Sequence, residues 1–182
     1  MKRLSLLVVG VTILTVGCGS SSPTDPSGAS TTTFTVPLSS ANEVPAITNA
    51  DAGSTGTAVI ALTVTKDDSG TITSAAMNFQ ISVTGLPAGS TVTKAHIHNG
   101  GAGANGGILV DTTLASGEIA LANGSGSITK SGISVPADGA AAILNNPAGH
   151  YFNVHTALNP DGAMRGQFAP GTTVNQGTTG GY

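Results

Sequence analysis

Cysteine is nearly missing from this chain. Cys18 is the only one in 182 residues, so no intrachain disulfide can staple the fold and stability must come from packing and hydrogen bonds. Charge is scarce as well. Only 8% of residues are Asp, Glu, Lys or Arg, and two of the six cations, Lys2 and Arg3, sit at the extreme N-terminus. Beyond them Lys66, Lys94, Lys130 and Arg165 face nine acidic residues. Phosphate binding needs clustered Lys and Arg, so nucleic acid is not a partner this composition supports. The apolar run at 4–16 falls short of the roughly 20 residues that span a bilayer as a helix. What the chain has in quantity is Gly, 26 residues, together with Val, Ile and Thr. That mixture favours short strands and tight turns over helices, because β-branched side chains suit a pleated surface and Gly supplies turn conformations. An all-helical fold is excluded, and the length fits one ordinary domain between its ends.

Lys2 and Arg3 followed by the apolar 4–16 segment have the make-up of a secretory signal peptide, here residues 1–17. The sole cysteine follows directly, in Leu14-Thr15-Val16-Gly17-Cys18. A small residue before Cys is what lipoprotein processing requires, so Cys18 is the expected site of lipidation (a palmitate-type anchor), although Thr15 stands where an aliphatic residue is commoner. The alternative is an ordinary secreted protein with one free thiol. Gly19 stands where an Asp often retains lipoproteins in an inner membrane, which points to an exported protein held at the outer membrane, facing the periplasm or the cell exterior. Residues 18–32 are rich in Gly, Ser, Thr, Pro and Asp and read as a flexible linker; 170–182 has the same character and reads as a disordered tail. The folded domain is expected at 33–169.

Alternation of apolar and polar residues locates the strands within it. Ile60, Leu62 and Val64 share one face of 57–66, and Met77, Phe79, Ile81 and Val83 share one face of 71–84. Asp67-Asp68-Ser69-Gly70 joins them as a hairpin turn. Further strands are predicted at 34–38, 91–98, 107–111, 117–121, 126–130, 150–156 and 163–168, with one short helix at 137–145 ended by Asn146-Pro147. The fold class is therefore all-β: an antiparallel sandwich or barrel, immunoglobulin-like or superoxide-dismutase-like, with at most one short helix.

His96-Ile97-His98 is the most informative local feature. Residues two apart on a strand point to one face with Cα atoms roughly 7 Å apart, so two imidazoles can converge on one ion while Ile97 faces the core. The other two histidines lie in His150-Tyr151-Phe152-Asn153-Val154-His155, where Asn153 and His155 face away from Phe152 and Val154. Imidazole-rich sites suit copper or zinc, which makes His96, His98 and His155, with His150 as a fourth, the candidate ligands. The alternative is a hydrogen-bonded polar cluster that pins strands together. Gly101 to Gly106 fits G-x-G-x-x-G, but a strand follows it instead of a helix, so it reads as a hairpin loop at the rim of the histidines and not as a dinucleotide fingerprint. Asn159-Pro160-Asp161-Gly162 is a turn, which makes Asp161 a turn former. Arg165 can neutralise an acidic neighbour such as Glu43 or guide an anionic ligand. No Ser/His/Asp set and no glycosidase-type carboxylate pair stands out.

Three segments in order, Leu38-Ser39-Ser40-Ala41-Asn42-Glu43-Val44-Pro45, Ala95-His96-Ile97-His98-Asn99-Gly100, and Tyr151-Phe152-Asn153-Val154-His155-Thr156 through Arg165-Gly166-Gln167-Phe168, resemble the CHRD (chordin-type) domain of bacterial exported proteins. The resemblance spans about 33–169 and maps the family's H-x-H, N-V-H-T and R-G-Q onto His96, His98, Asn153, His155, Thr156, Arg165 and Gln167. His150 is not a usual family position, and Ala163 stands where the family often has Glu before the Arg. The resemblance implies location and fold class and no reaction. Two functions follow as expectations. The first is a non-enzymatic binding or structural module at the cell envelope. The second is a copper-binding protein, with redox chemistry of the kind run by copper/zinc superoxide dismutase, to which the H-x-H strand and late Arg are similar. The disulfide cysteines and zinc loop of that enzyme have no counterpart here.

Overall fold

The computed structural model describes residues 28–176. Nine strands run in the order β1 (Gly28–Ser39), β2 (Thr55–Lys66), β3 (Ile72–Thr84), β4 (Val92–Asn99), β5 (Ile108–Asp111), β6 (Gly126–Ser134), β7 (His150–Thr156), β8 (Met164–Gln167) and β9 (Thr172–Gln176), with one helix, α1 (Ala137–Asn145), between β6 and β7. They form one antiparallel sheet ordered β5-β4-β7-β8-β1-β2-β3-β6. β8 and β9 divide one edge of β1 between them: Ser39 pairs with Arg165, and Ala29 to Thr33 pair with Gln176 to Thr172.

The sheet curls into a half-barrel around its apolar face. Phe79 on β3 and Phe152 on β7 are separated by three strands in the sheet order, yet their ring centroids lie 5.9 Å apart. Only curling brings those positions together. The inward residues are those the alternation marks: Phe34, Val36 and Leu38; Ile60, Leu62 and Val64; Met77, Phe79, Ile81 and Val83, all buried. Helix α1 packs against β3 and buries Ala140 and Ile143; Asp138 in its first turn complements the helix dipole, and Asn146-Pro147 ends it. The β2–β3 turn forms as expected, with Asp67 Oδ1 accepting from the Ser69 and Thr71 amides and Gly70 at φ +83°.

The structure corrects the reading of three segments. Residues 28–32, taken as flexible linker, are paired strand; their apolar content is low because β2 and β9 flank them and the Thr31–Thr63 and Thr32–Thr173 hydroxyl contacts, each 2.8 Å, replace core packing. Likewise 172–176 of the presumed tail form β9, exposed throughout. Residues 117–121 are not a strand: Gly117 turns at φ +76°, Glu118 leaves to meet Lys130 at 2.8 Å, and Ile119 plugs the core with Leu121 packed against its edge. The signal segment, Cys18 and residues 177–182 lie outside the described residues. No helix among the described residues is long and apolar enough to cross a membrane.

Candidate metal centre

Most of the sheet has one buried and one open face, but β7 is buried at all seven positions and β4 at Ala95 through His98. Ala95, Ile97, Phe152 and Val154 belong to the core, so alternation sends His96, His98, Tyr151, Asn153 and His155 to the outer face. Pairing sets them in rows: His96 opposite Asn153 opposite Arg165, His98 opposite Tyr151 opposite Gln167, and Lys94 opposite His155. Three connections cover this patch. They are the glycine-rich β4–β5 loop, the segment between β1 and β2 that carries Glu43, and the β7–β8 turn.

The imidazoles of His96, His98 and His155 converge, each offering a nitrogen within 4.8 Å of the others. Two are oriented by carbonyls of the covering loops. His98 Nδ1 donates to the Gly106 carbonyl at 3.0 Å and His155 Nδ1 to the Pro160 carbonyl at 2.9 Å. A carbonyl only accepts, so in each neutral ring the proton sits on Nδ1 and the Nε2 lone pair faces the cluster. His155 Nε2 takes a hydrogen bond from His96 Nδ1 at 3.0 Å. His98 Nε2 is buried with no partner among the described residues. Burial holds all three imidazoles below the ordinary histidine value, His155 to about 4, where the charge of neighbouring His96 adds to the effect. The rings are therefore neutral near pH 7, the state in which imidazole ligates a metal.

His150 is not part of the cluster. It has the parity of Phe152 and Val154, on the opposite face of β7 from His155, and its Nδ1 bonds the Asn146 carbonyl at 3.0 Å, at the end of α1. The expectation of a fourth histidine ligand is corrected by that strand parity.

Arg165 is committed to structure. Its Nε and Nη2 each lie 2.7 Å from Glu43 Oε2, Nη1 donates to the Ala104 carbonyl at 3.2 Å, and Nη2 donates to Asn105 Oδ1 at 2.7 Å. Its guanidinium carbon lies 4.4 Å from the centroid of Tyr151, which in turn stacks on His98 at 4.9 Å and 7°. Of the two roles open to it, neutralising Glu43 accounts for these contacts, and it ties both covering loops to the histidine face. Burial pushes the Glu43 carboxyl up, and the contacts to Arg165 pull it partly back. Asn153 lies beside the pair, and its Oδ1 has no partner among the described residues. The Asn159–Gly162 turn closes through Gly162 N to Asn159 O at 3.2 Å. Gly162 is required there: φ is +140°, and a Cβ would sit 2.6 Å from Asn153 Nδ2 and 2.9 Å from both Glu43 oxygens.

A family model for the CHRD domain matches residues 34–168. The chain belongs to the CHRD domain family. Comparison with curated proteins and with solved structures found no match. In this CHRD domain the family's H-x-H, N-V-H-T and R-G-Q segments are the strands β4, β7 and β8, which lie side by side and build one patch. Sequence reasoning missed three participants. Asp111 lies 3.9 Å from His96 Nε2, Tyr151 supports His98, and fully buried Asp51 accepts from Thr156 Oγ1 and Asn159 Nδ2, both at 2.6 Å, pinning the β1–β2 segment to the β7–β8 turn. The G-x-G-x-x-G loop lies at the rim of the histidines as its position after His98 implies, and its last glycine supplies the carbonyl that orients His98; a Cβ at Gly106 would collide with the Asn99 carbonyl oxygen.

Proposed function

We propose that this CHRD-domain protein is an exported lipoprotein, anchored through Cys18, that serves as a binding module at the cell envelope and holds copper between His96, His98 and His155. The observation that carries the metal reading is His98 Nε2, a buried lone pair without a partner among the described residues, beside two further neutral imidazoles. An isolated polar cluster built to pin strands would satisfy its own members, because an unpaired buried acceptor costs about 1–3 kcal/mol. Carbonyl-fixed tautomers on His98 and His155 supply the outer support that metal-bound histidines usually have. An all-imidazole set suits copper and zinc, and copper heads the divalent affinity order. The anchor rests on the cationic start, the short apolar run and the placement of the sole cysteine.

Calorimetric titration of the mature protein with Cu(II) tests the metal reading. Stoichiometry of about one per chain, lost in His98→Ala, supports it; the open position that three ligands leave then goes to water or a small ligand. Stoichiometry near zero in the folded wild type reduces the cluster to a strand pin. Fractionation of cells carrying Cys18→Ala tests the anchor, which requires the variant to leave the membrane pellet.

A further inference from the structure

Asp111 stands on the outer face of β5, paired with His96 across the β4–β5 ladder, with Oδ1 3.9 Å from His96 Nε2. It is not a fourth member of the converging set, which among the described residues is made of the three histidines. The proton positions around His96 show what it is for. His155 Nδ1 carries its ring's proton, so the hydrogen bond between His96 and His155 requires His96 to donate from Nδ1. The bare Nε2 of His96 then faces the Asp111 carboxylate, and two acceptors make no hydrogen bond.

In this arrangement the lone pair of His155 is filled by the His96 proton, and His96 offers the cluster an N–H where a ligand needs a lone pair. Loading the site through His96 Nδ1 requires the other tautomer. One proton leaves Nδ1, one arrives at Nε2, the ring stays neutral, and both His96 Nδ1 and His155 Nε2 are freed. The relocated Nε2–H then points at Asp111. This rests on the metal reading above: we infer that Asp111 is a positioning residue that accepts from His96 Nε2 in the loaded state and thereby selects the metal-binding tautomer. His98 and His155 have their remote nitrogens on backbone carbonyls; Asp111 supplies the equivalent for the third ring.

A second observation supports a dedicated placement. Asp111 Oδ1 also accepts from the Thr113 amide at 2.7 Å, and Thr113 sits at φ +57°, a strained conformation for a β-branched residue. Thr112 between them is fully buried and donates to the Ala95 carbonyl at 2.8 Å. The turn after β5 is thus latched to β4 at Ala95 and holds the carboxylate beside His96.

Asp111→Asn tests the inference, since an amide oxygen can still cap Thr113 while the charge is lost. Outer partners of this kind are worth about tenfold to a hundredfold in metal affinity, so the variant should bind Cu(II) and Zn(II) more weakly by that factor with an unchanged circular-dichroism spectrum. Nitrogen-15 NMR of the Zn(II)-loaded wild type should show His96 metallated at Nδ1 and protonated at Nε2, and the metal-free protein should show the reverse. Binding in Asp111→Asn within twofold of wild type, or a loaded His96 bound through Nε2, overturns the role of Asp111 and leaves the metal site standing. A wild type that binds neither ion overturns the underlying reading instead.

Discussion

Replacing Arg165 by Met leaves the Glu43 carboxylate without its counter-charge in a place where water cannot substitute. The side chains of Arg165 and Glu43 are only 7% and 3% exposed. Removing one partner of such a pair costs about 3–5 kcal/mol, against roughly 0–1 kcal/mol for an exposed pair. A domain with a total stability of about 5–15 kcal/mol should feel that loss. With a urea slope of about 2 kcal/mol per molar, the unfolding midpoint should fall by roughly 1.5–2.5 M. Glu43→Gln in the Arg165→Met background should recover much of it, because a neutral amide has no buried charge to compensate. Recovery stays incomplete, since the contacts to Ala104, Asn105 and Tyr151 are gone. The pH dependence adds a second signature. With Arg165 removed, burial is opposed only by the Val44 backbone hydrogen bond and raises Glu43 further above its ordinary 4.5. A carboxyl raised in the fold destabilises when ionised, so the deficit should be largest at neutral pH and smallest below 4.5. A midpoint loss under 0.5 M, or a deficit that grows on acidification, would refute the reasoning.

The histidine cluster gives the wild type its own acid sensitivity. His96, His98 and His155 are lowered in the fold, His155 to about 4 from 6.5. A lowered imidazole lends stability above its unfolded value and loses it as pH falls, so the midpoint should hold above pH 6.5 and decline toward 4; a flat profile across that window contradicts the burial. Gly162→Ala should destabilise by about 1–3 kcal/mol from backbone strain alone, with crowding of Asn153 and Glu43 in addition, and an unchanged melting temperature would count against the placement of that turn. Phe152→Ala should cost about 3–5 kcal/mol, because its ring spans the curled sheet to Phe79, whereas a loss under 1 kcal/mol would mean the sheet does not close on that pair.

Strand periodicity makes much of this architecture legible in the sequence. The apolar sets of β2 and β3 share one face as read, and the two-residue spacing of His96 and His98 puts both on the outer face. The same parity placed His155 with them and excludes His150, which the sequence reading kept although it lies two residues before Phe152 in register with the core. β9 was hidden because both its faces are exposed and it therefore carries no apolar alternation. The start of β1 was hidden for the related reason that Thr and Ser there pair with strands and not with the core. Asp111 could not be matched to His96 because the β4–β5 register slips between Ile97 and His98. Glu43 was named as a partner for Arg165, but the depth of the pair depends on two loops folding over it, which no local pattern encodes.

Electron paramagnetic resonance of the mature protein loaded with about one equivalent of Cu(II) tests the central claim most directly. Three imidazole ligands should give nitrogen superhyperfine structure from three nitrogens, a signal that His98→Ala should lose together with the site. A spectrum identical to that of aqueous Cu(II), from protein shown to be folded, would contradict it.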